Sequence, residues 1–316
     1  MKQTKKQSYS LKSYFNFKDR SFSFFVKFLA FLFISLFLSM AIIIFLKAWP
    51  AFREFGFSFF TNPTWDSWRQ EFGVLALVYG TLLSSLLALL IAVPVSIAFA
   101  LFLNEIAPRW LSVSLGFVVE MLAAIPSIVY GLWGLFILAP FLKKKVQPFL
   151  SDHFGNFPLF SGPYYGIGIM CASLILAIMI IPTISSLCKE VFRAIPHANK
   201  EAVLSLGTTR WEMFKVAILK GGRSGIIGAV VLGFGRAFGE TMAVTMVIGN
   251  KIGLSSSLFA PSQTMASVLA TQYAEADTNL HLAALTAVGF TLFIVSLLFN
   301  GLSILLLWRM KARVRV

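Results

Sequence analysis

Long apolar runs alternate with short polar segments along almost the whole chain. Six of these runs reach the roughly 20 residues that a helix needs to cross a bilayer. They are residues 24–46, 74–103, 112–142, 164–187, 224–249 and 281–308. Prolines lie inside or near the ends of three runs, which membrane helices tolerate where neighbours satisfy the freed backbone groups. The pattern predicts an all-α, polytopic membrane protein with about six transmembrane helices.

The composition agrees with a membrane protein and excludes an ordinary soluble enzyme. Hydrophobic residues make up 58% of the 316 residues and charged residues only 13%, whereas soluble domains carry about a quarter charged residues. The net charge of +14 alone would suit nucleic-acid binding, but the basic residues are dispersed between apolar runs, as the positive-inside rule describes. We therefore expect a lipid bilayer, and no nucleic acid, as the surroundings of this chain.

The distribution of Lys and Arg predicts the orientation. With a cytoplasmic N-terminus, 19 of the 27 basic residues fall in inside segments and seven in outside segments, so both termini are predicted to be cytoplasmic. The run Lys143–Lys145, in a predicted external loop 143–163, is a local exception. The predicted organisation is a basic tail 1–23, an uncleaved first span 24–46, an external interfacial segment 47–73, a five-helix core 74–308 with a cytoplasmic loop 188–223, and a basic tail 309–316.

The loop 188–223 carries the pattern of a helical hairpin. Pro196 suits the start of a first helix, and Gly207 suits the left-handed turn that would end it. Thr209 and Glu212 have the spacing of a capping box, which predicts the start of a second helix. The predicted apolar faces are Ala198, Ala202, Val203 and Leu206 in the first helix and Trp211, Phe214 and Ile218 in the second.

Two interpretations of this hairpin stay open from the residues alone. It is either an amphipathic element lying at the membrane interface, or a docking element that enters a groove of a cytoplasmic protein. Its position between two spans argues against insertion into a DNA groove.

The hairpin also contains a spaced motif. Glu201-Ala202-Val203 is followed by three residues, Gly207, nine residues and Ala217-Ile218-Leu219. This resembles the EAA loop of ABC importer permeases, with departures at Val203, Ala217 and Lys220. The resemblance implies that the loop supplies a coupling helix to a cleft in an ATPase subunit. The residues that it assigns to ATPase coupling are Glu201, Ala202, Gly207, Thr209, Trp211 and Glu212.

Four further motifs support the same class of protein. They are Ile125-Pro126-Ser127-Ile128-Val129-Tyr130-Gly131-Leu132, the decapeptide GRAFGETMAV from Gly235 to Val244, the hexapeptide LNEIAP from Leu103 to Pro108, and Thr64-Trp65-Asp66. Together they resemble the permease subunits of phosphate-specific transport systems over roughly residues 50–310, and the last motif favours the C-type subunit.

This resemblance implies a type I ABC importer permease fold in a bacterial inner membrane. The implied function is import of inorganic phosphate by alternating access. The implied partners are a second, A-type permease subunit, two ATP-binding subunits and an external phosphate-binding protein. ATP and Mg²⁺ would be bound by the ATPase partner, with no cofactor in this chain.

Two charged residues, Arg236 and Glu240, lie inside a predicted span. A charge at mid-bilayer costs about 2.5–3.5 kcal/mol, so such residues face a cavity or a partner. Their spacing lets them pair on one helix face. They form either a self-neutralised structural pair or part of an anion pathway, in which Arg236 offers its donor fork to phosphate and Glu240 holds that fork or repels the anion. Glu120 is either a third pathway residue or a shallow one.

Enzyme chemistry has no support in the sequence. It contains no metal-ligand set, no nucleophile–base arrangement and no GxxxxGK[ST] phosphate loop, and His153, His197 and His281 are scattered. We therefore expect a transport subunit whose ATP is hydrolysed by a partner. Two alternatives remain: a permease for another oxyanion such as sulfate or molybdate, and a secondary transporter or membrane scaffold without an ATPase.

Overall fold

The computed structural model describes residues 3–312, and the side chains of residues 22–305, 308 and 309. An antiparallel hairpin pairs β1 (Trp65–Asp66) with β2 (Glu71–Phe72). The helices are α1 Gln3–Phe55, α2 Ser58–Thr61, α3 Leu75–Ile106, α4 Arg109–Ala124, α5 Ser127–Phe154, α6 Ile169–Arg193, α7 His197–Ser205, α8 Arg210–Lys220, α9 Arg223–Phe238, α10 Met242–Val247, α11 Met265–Gln272 and α12 Asn279–Ala312.

Within the described range, five helices are long and apolar enough to cross a membrane: α1, α3, α5, α6 and α12. The bent pair α8–α9, whose two helices meet at 66°, supplies a sixth if it is counted as one span. The all-α, polytopic fold with about six spans is therefore confirmed. α1 continues beyond the predicted span 24–46 at both ends, so the first part of the predicted external segment 47–73 is helical. Of the predicted tail 1–23, the structure describes the side chains of residues 22 and 23 only.

The predicted bounds of the third span are wrong. Ile125 and Pro126 adopt extended backbone angles and divide the run 112–142 into α4 and α5. The cause is Pro126, which disfavours helical conformation in the preceding residue. α5 then continues through the Lys143–Lys145 run as far as Phe154, although a loop was predicted there. Leu142 and Gln147 are buried on one side of this extension, so burial holds the three exposed lysines in a helix.

α6 forms the centre of the bundle, and α3 and α9 pack against it. A Cβ atom placed on Gly225 of α9 would come within 2.4 Å of Val191 on α6. One placed on Gly233 would come within 2.6 Å of Ile184. The sequence contains two glycine pairs with the spacing of close helix approach, Gly221-xxx-Gly225 and Gly235-xxx-Gly239. Of these four glycines, only Gly225 lies against a neighbouring helix. This close contact brings α9 beside the middle of α6.

Candidate functional site

The motif Gly235–Val244 covers an interruption between two helices. α9 ends at Phe238 and α10 begins at Met242. Glu240 lies in the interruption, and its Oε1 accepts a hydrogen bond of 3.4 Å from the backbone N–H of Ala243. Such contacts satisfy backbone groups that an interrupted membrane helix would otherwise leave free. Glu240 is thus bound to the start of α10.

Arg236 occupies the last turn of α9 and is half-buried. Its Nη1 donates a hydrogen bond of 3.0 Å to Thr183 Oγ1 on α6. It lies about 20 Å along α9 from Arg223, at 1.5 Å per residue, which places it deep in the bundle. Although both side chains are in the described part of the chain, Arg236 and Glu240 form no ion pair. The pairing that their spacing allows is not formed.

The two longest motifs meet around this arginine. A Cβ atom on Gly131 of α5 would come within 3.0 Å of Ala243 Cα and 2.8 Å of Met246 Sδ on α10. The neighbouring Tyr130 hydroxyl donates to the Leu122 carbonyl at 2.9 Å. Segments of α5, α6, α9 and α10 therefore form one site. Thr183 was missed, because a threonine after a proline in an apolar run carries no functional signal.

Part of the surface of α9 next to the arginine is uncovered. Gly235 has open space where a Cβ atom would lie, and Gly239 would meet only the Gly235 carbonyl oxygen, at 3.5 Å. Leu232 of α9 and Met242 of α10 are exposed as well. A guanidinium carries five N–H donors, and one bonds to Thr183, so further donors are available for oxygen atoms of a bound anion.

Glu120 lies outside this cluster. It is exposed on α4 and lines a small cavity of about 80 Å³ together with Lys189 and Ser186, close to the C-terminal end of α6. This position favours the interpretation of Glu120 as a shallow residue.

The hairpin has the local structure that the sequence predicts. Gly207 has a φ of +77°, the left-handed conformation that ends α7. The Thr209 hydroxyl accepts from the Glu212 backbone N–H at 3.3 Å, and Glu212 Oε2 accepts from the Thr209 backbone N–H at 2.8 Å. The hydrogen bond from the Thr209 backbone, followed by that from its side chain, lowers the pKa of the Glu212 carboxyl below its ordinary value. The capping box is therefore complete.

The residues predicted to couple to an ATPase are accessible to a partner. Glu201, Ala202, Gly207, Thr209, Trp211 and Glu212 are all exposed. Leu206 is 81% exposed, and the exposed Trp211 ring has Lys215 Nζ 5.0 Å from its centroid. Met213, Ala217 and Ile218, in contrast, are buried and anchor α8. An exposed apolar surface on a short hairpin is suited to contact with another protein.

The predicted apolar faces of the hairpin are wrong in part. Ala198, Ala202 and Leu206 do not face the bundle, and the buried residue of α7 is Lys200. Its Nζ lies 2.5 Å from Glu105 Oε1 at the end of α3. Neither residue was predicted as functional; the only signal was a glutamate in the motif Leu103–Pro108.

Residues 92–312 match the family described as the binding-protein-dependent transport system inner membrane component. The chain belongs to this family. The phosphate transport system permease protein PstC of Mesorhizobium japonicum is 46% identical to it over 278 residues, which cover 87% of this chain and 85% of the relative. PstC of Pasteurella multocida is 44% identical and covers 84% of each chain.

Among solved structures, an inward-facing conformation of the MetNI methionine ABC transporter matches with a TM-score of 0.52 and 17% identity, over 75% of this chain and 94% of that chain. This similarity concerns the fold and confirms the type I ABC importer permease architecture. The chain is therefore a multi-pass inner-membrane permease of the ABC transporter family.

Proposed function

We propose that this chain is the transmembrane permease subunit of an ATP-driven importer of inorganic phosphate that works by alternating access. The PstC relatives support phosphate as the substrate. The observation that carries the proposal is Arg236, a deeply placed guanidinium bonded to the neutral Thr183 and, within the described part of the chain, to no carboxylate.

The physical argument rests on the charge balance of this arginine. An arginine at bilayer depth is costly unless an anion, a cavity or water compensates it. Glu240 does not fill that role, because it forms no ion pair with Arg236 within the described part of the chain. Phosphate oxygens match the planar donor fork of a guanidinium. A transiting phosphate would therefore neutralise Arg236, while Glu240 nearby would keep the anion from binding too tightly to leave.

The proposed partners are those that the family resemblance implies, and each is assigned here to a surface that the chain leaves uncovered. In this proposal an A-type permease covers the exposed part of α9 next to Arg236, so that the pathway lies between the two permeases. Two ATP-binding subunits, which hold the ATP and Mg²⁺, receive the hairpin α7–α8. An external phosphate-binding protein docks at the opposite end of the bundle, and both termini of this chain are cytoplasmic. This chain itself hydrolyses no ATP.

The test is phosphate uptake normalised to assembled complex, with ATP hydrolysis recorded alongside. Arg236→Gln is expected to assemble normally but to lower uptake about tenfold to hundredfold, since hydrogen bonds to charged groups contribute about 1.5–3 kcal/mol. Arg109→Gln, at an exposed arginine at the start of α4, is the matched control and should transport normally.

A double variant separates transport from structure. Arg236→Gln with Glu240→Gln leaves no charge to balance, so it should assemble and still fail to take up phosphate. Recovery of uptake in the double variant would contradict the pathway role. Uptake of labelled sulfate or molybdate, but not of labelled phosphate, by the unsubstituted complex would assign the site to another oxyanion.

A further inference from the structure

The one buried side chain of α7 within the described part of the chain is a charged one. Lys200 is 8% exposed, and its Nζ lies 2.5 Å from Glu105 Oε1, with side-chain exposures of 10% and 11%. Asn104 Nδ2 donates to the same carboxylate oxygen. The pair joins residues 95 positions apart in sequence and connects the hairpin directly to the end of α3.

This contact differs from an ordinary surface ion pair. Asp66 and Arg69 are neighbours in one turn, 3.8 Å apart, with side chains 39% and 78% exposed, and such pairs contribute little. Lys200 and Glu105 are withdrawn from water, so removal of one partner would leave a buried and uncompensated charge. The hairpin is therefore held to α3 by a contact that cannot be released without cost.

Local helix energetics do not explain the two charges. Lys200 is the fourth residue of α7, close to a helix N-terminus, and Glu105 is in the last turn of α3. The helix dipole disfavours a cation at the first position and an anion at the second. Each charge therefore opposes its own helix, and the favourable interaction available to both is the contact between them.

The contact continues toward the arginine site. α3 packs along α6, and the buried Ser96 Oγ of α3 donates to the Ile181 carbonyl of α6 at 3.2 Å. Two residues further along α6, Thr183 accepts the hydrogen bond from Arg236. An unbroken series of contacts thus leads from the hairpin through α3 and α6 to the candidate phosphate site.

We propose that Lys200 and Glu105 are positioning residues that transmit the movement of the hairpin to α3, and from there to α6 at Arg236. This inference deepens the proposed function and rests on it, because the movement would originate in the ATP-binding partner. Neither residue contacts the substrate. Their effect is on the amount of phosphate transported per ATP hydrolysed.

The experiment uses the whole complex in membrane vesicles with the hairpin side outward. The variants are Glu105→Gln, Lys200→Met and the charge swap Glu105→Lys with Lys200→Glu. The control is Lys27→Gln, at an exposed lysine of α1. Phosphate taken up per ATP hydrolysed is measured together with the rate of tryptic cleavage after Arg210. The second readout reports the position of the hairpin without requiring transport.

We expect each single variant to lower uptake per ATP by about tenfold, within the usual range of coupling between sites, and to raise the cleavage rate. The charge swap should restore both, because it keeps the ion pair and places each charge where its helix dipole favours it. A swap variant that assembles but stays uncoupled would overturn the proposal, as would single variants with an unchanged ratio or faster cleavage without uncoupling.

Failure of the proposed function gives a different result. If the unsubstituted complex hydrolyses no ATP or takes up no phosphate, the importer assignment itself is wrong. The cleavage rates then still decide whether the ion pair holds the hairpin. If the single variants do not accumulate, the swap variant provides the decision, since its accumulation and coupling depend on the pair alone.

Discussion

Gly207 is the residue whose replacement tests the hairpin most directly. Its φ of +77° lies in the left-handed region, and no atom lies within 4 Å of the position where a Cβ atom would be. A substitution there meets no steric clash, so its effect comes from the backbone alone. A side chain in this conformation costs about 1–2 kcal/mol, and β-branched residues pay the most.

This cost sets the size of the expected effect. A loss of about 1–2 kcal/mol lowers the population of the observed turn relative to alternatives by about 5- to 30-fold. Gly207→Val should therefore insert into the membrane normally, because the spans are unchanged, yet lose ATPase association or substrate-stimulated hydrolysis by a factor in that range. Gly207→Asn should lose less, because asparagine adopts left-handed conformations more readily.

The chain offers a matched control for backbone strain. Gly56, which follows α1, has a φ of +53° and likewise has open space at its Cβ position, but it lies at the opposite end of the bundle from the hairpin. Gly56→Val therefore introduces comparable strain without touching the coupling surface, and it should retain ATPase association.

The assay is co-purification of the ATP-binding subunits with the tagged permease, followed by ATP hydrolysis with and without the loaded binding protein. Gly207→Val with wild-type association and stimulation would refute the docking role of the hairpin. Equal losses of ATPase association in Gly56→Val and Gly207→Val would show that strain anywhere in the chain, and not hairpin geometry, causes the effect.

Two further predictions concern orientation and the capping box. In a cysteine-free background, a cysteine at Lys144 should react with an impermeant maleimide in intact cells and one at Ser205 only after lysis; the reverse pattern would refute the orientation. Thr209→Ala should destabilise α8 by about 1 kcal/mol, measured as faster hydrogen exchange of its first amides. Because Thr209 lowers the Glu212 pKa, the cap should persist near neutral pH and weaken as the pH falls below the ordinary glutamate range, an effect that Glu212→Gln should abolish.

The parts of the fold that sequence predicts well are those governed by local physics. The turn at Gly207 and the cap at Thr209 form as expected, since their backbone angles and hydrogen bonds depend on residues a few positions apart. The number of spans is also a local property, because each span needs only a sufficient apolar length. The third span was misplaced because a proline does not always end a membrane helix. Pro94 and Pro182 lie inside α3 and α6, whereas Pro126 ends α4 by disfavouring helix at Ile125.

The features that were missed depend on contacts between distant segments. Thr183 becomes a partner of Arg236 only because Gly225 and Gly233 let α9 approach α6 closely. From the sequence alone, Lys200 is expected to be solvated. Its burial depends on α3, which places Glu105 opposite it. Arg236 and Glu240, in contrast, had the spacing of a pair and do not form one, because the helix ends between them.

The interruption after Phe238 determines which groups can contact Arg236. In a continuous helix, Glu240 would lie one turn above Arg236 and neutralise it, so an anion would gain little by binding. Ending α9 before Glu240 directs the carboxylate to the α10 backbone and leaves the guanidinium with a neutral hydroxyl on α6. The strength of the proposed anion site would then depend on how α6 and α9 are placed relative to each other. A displacement of α6 that broke the Arg236–Thr183 hydrogen bond would free one more N–H donor for the anion. The reverse displacement would return that donor to Thr183. Movement at the hairpin would in this way alter the affinity for the anion at a site about 20 Å away along α9.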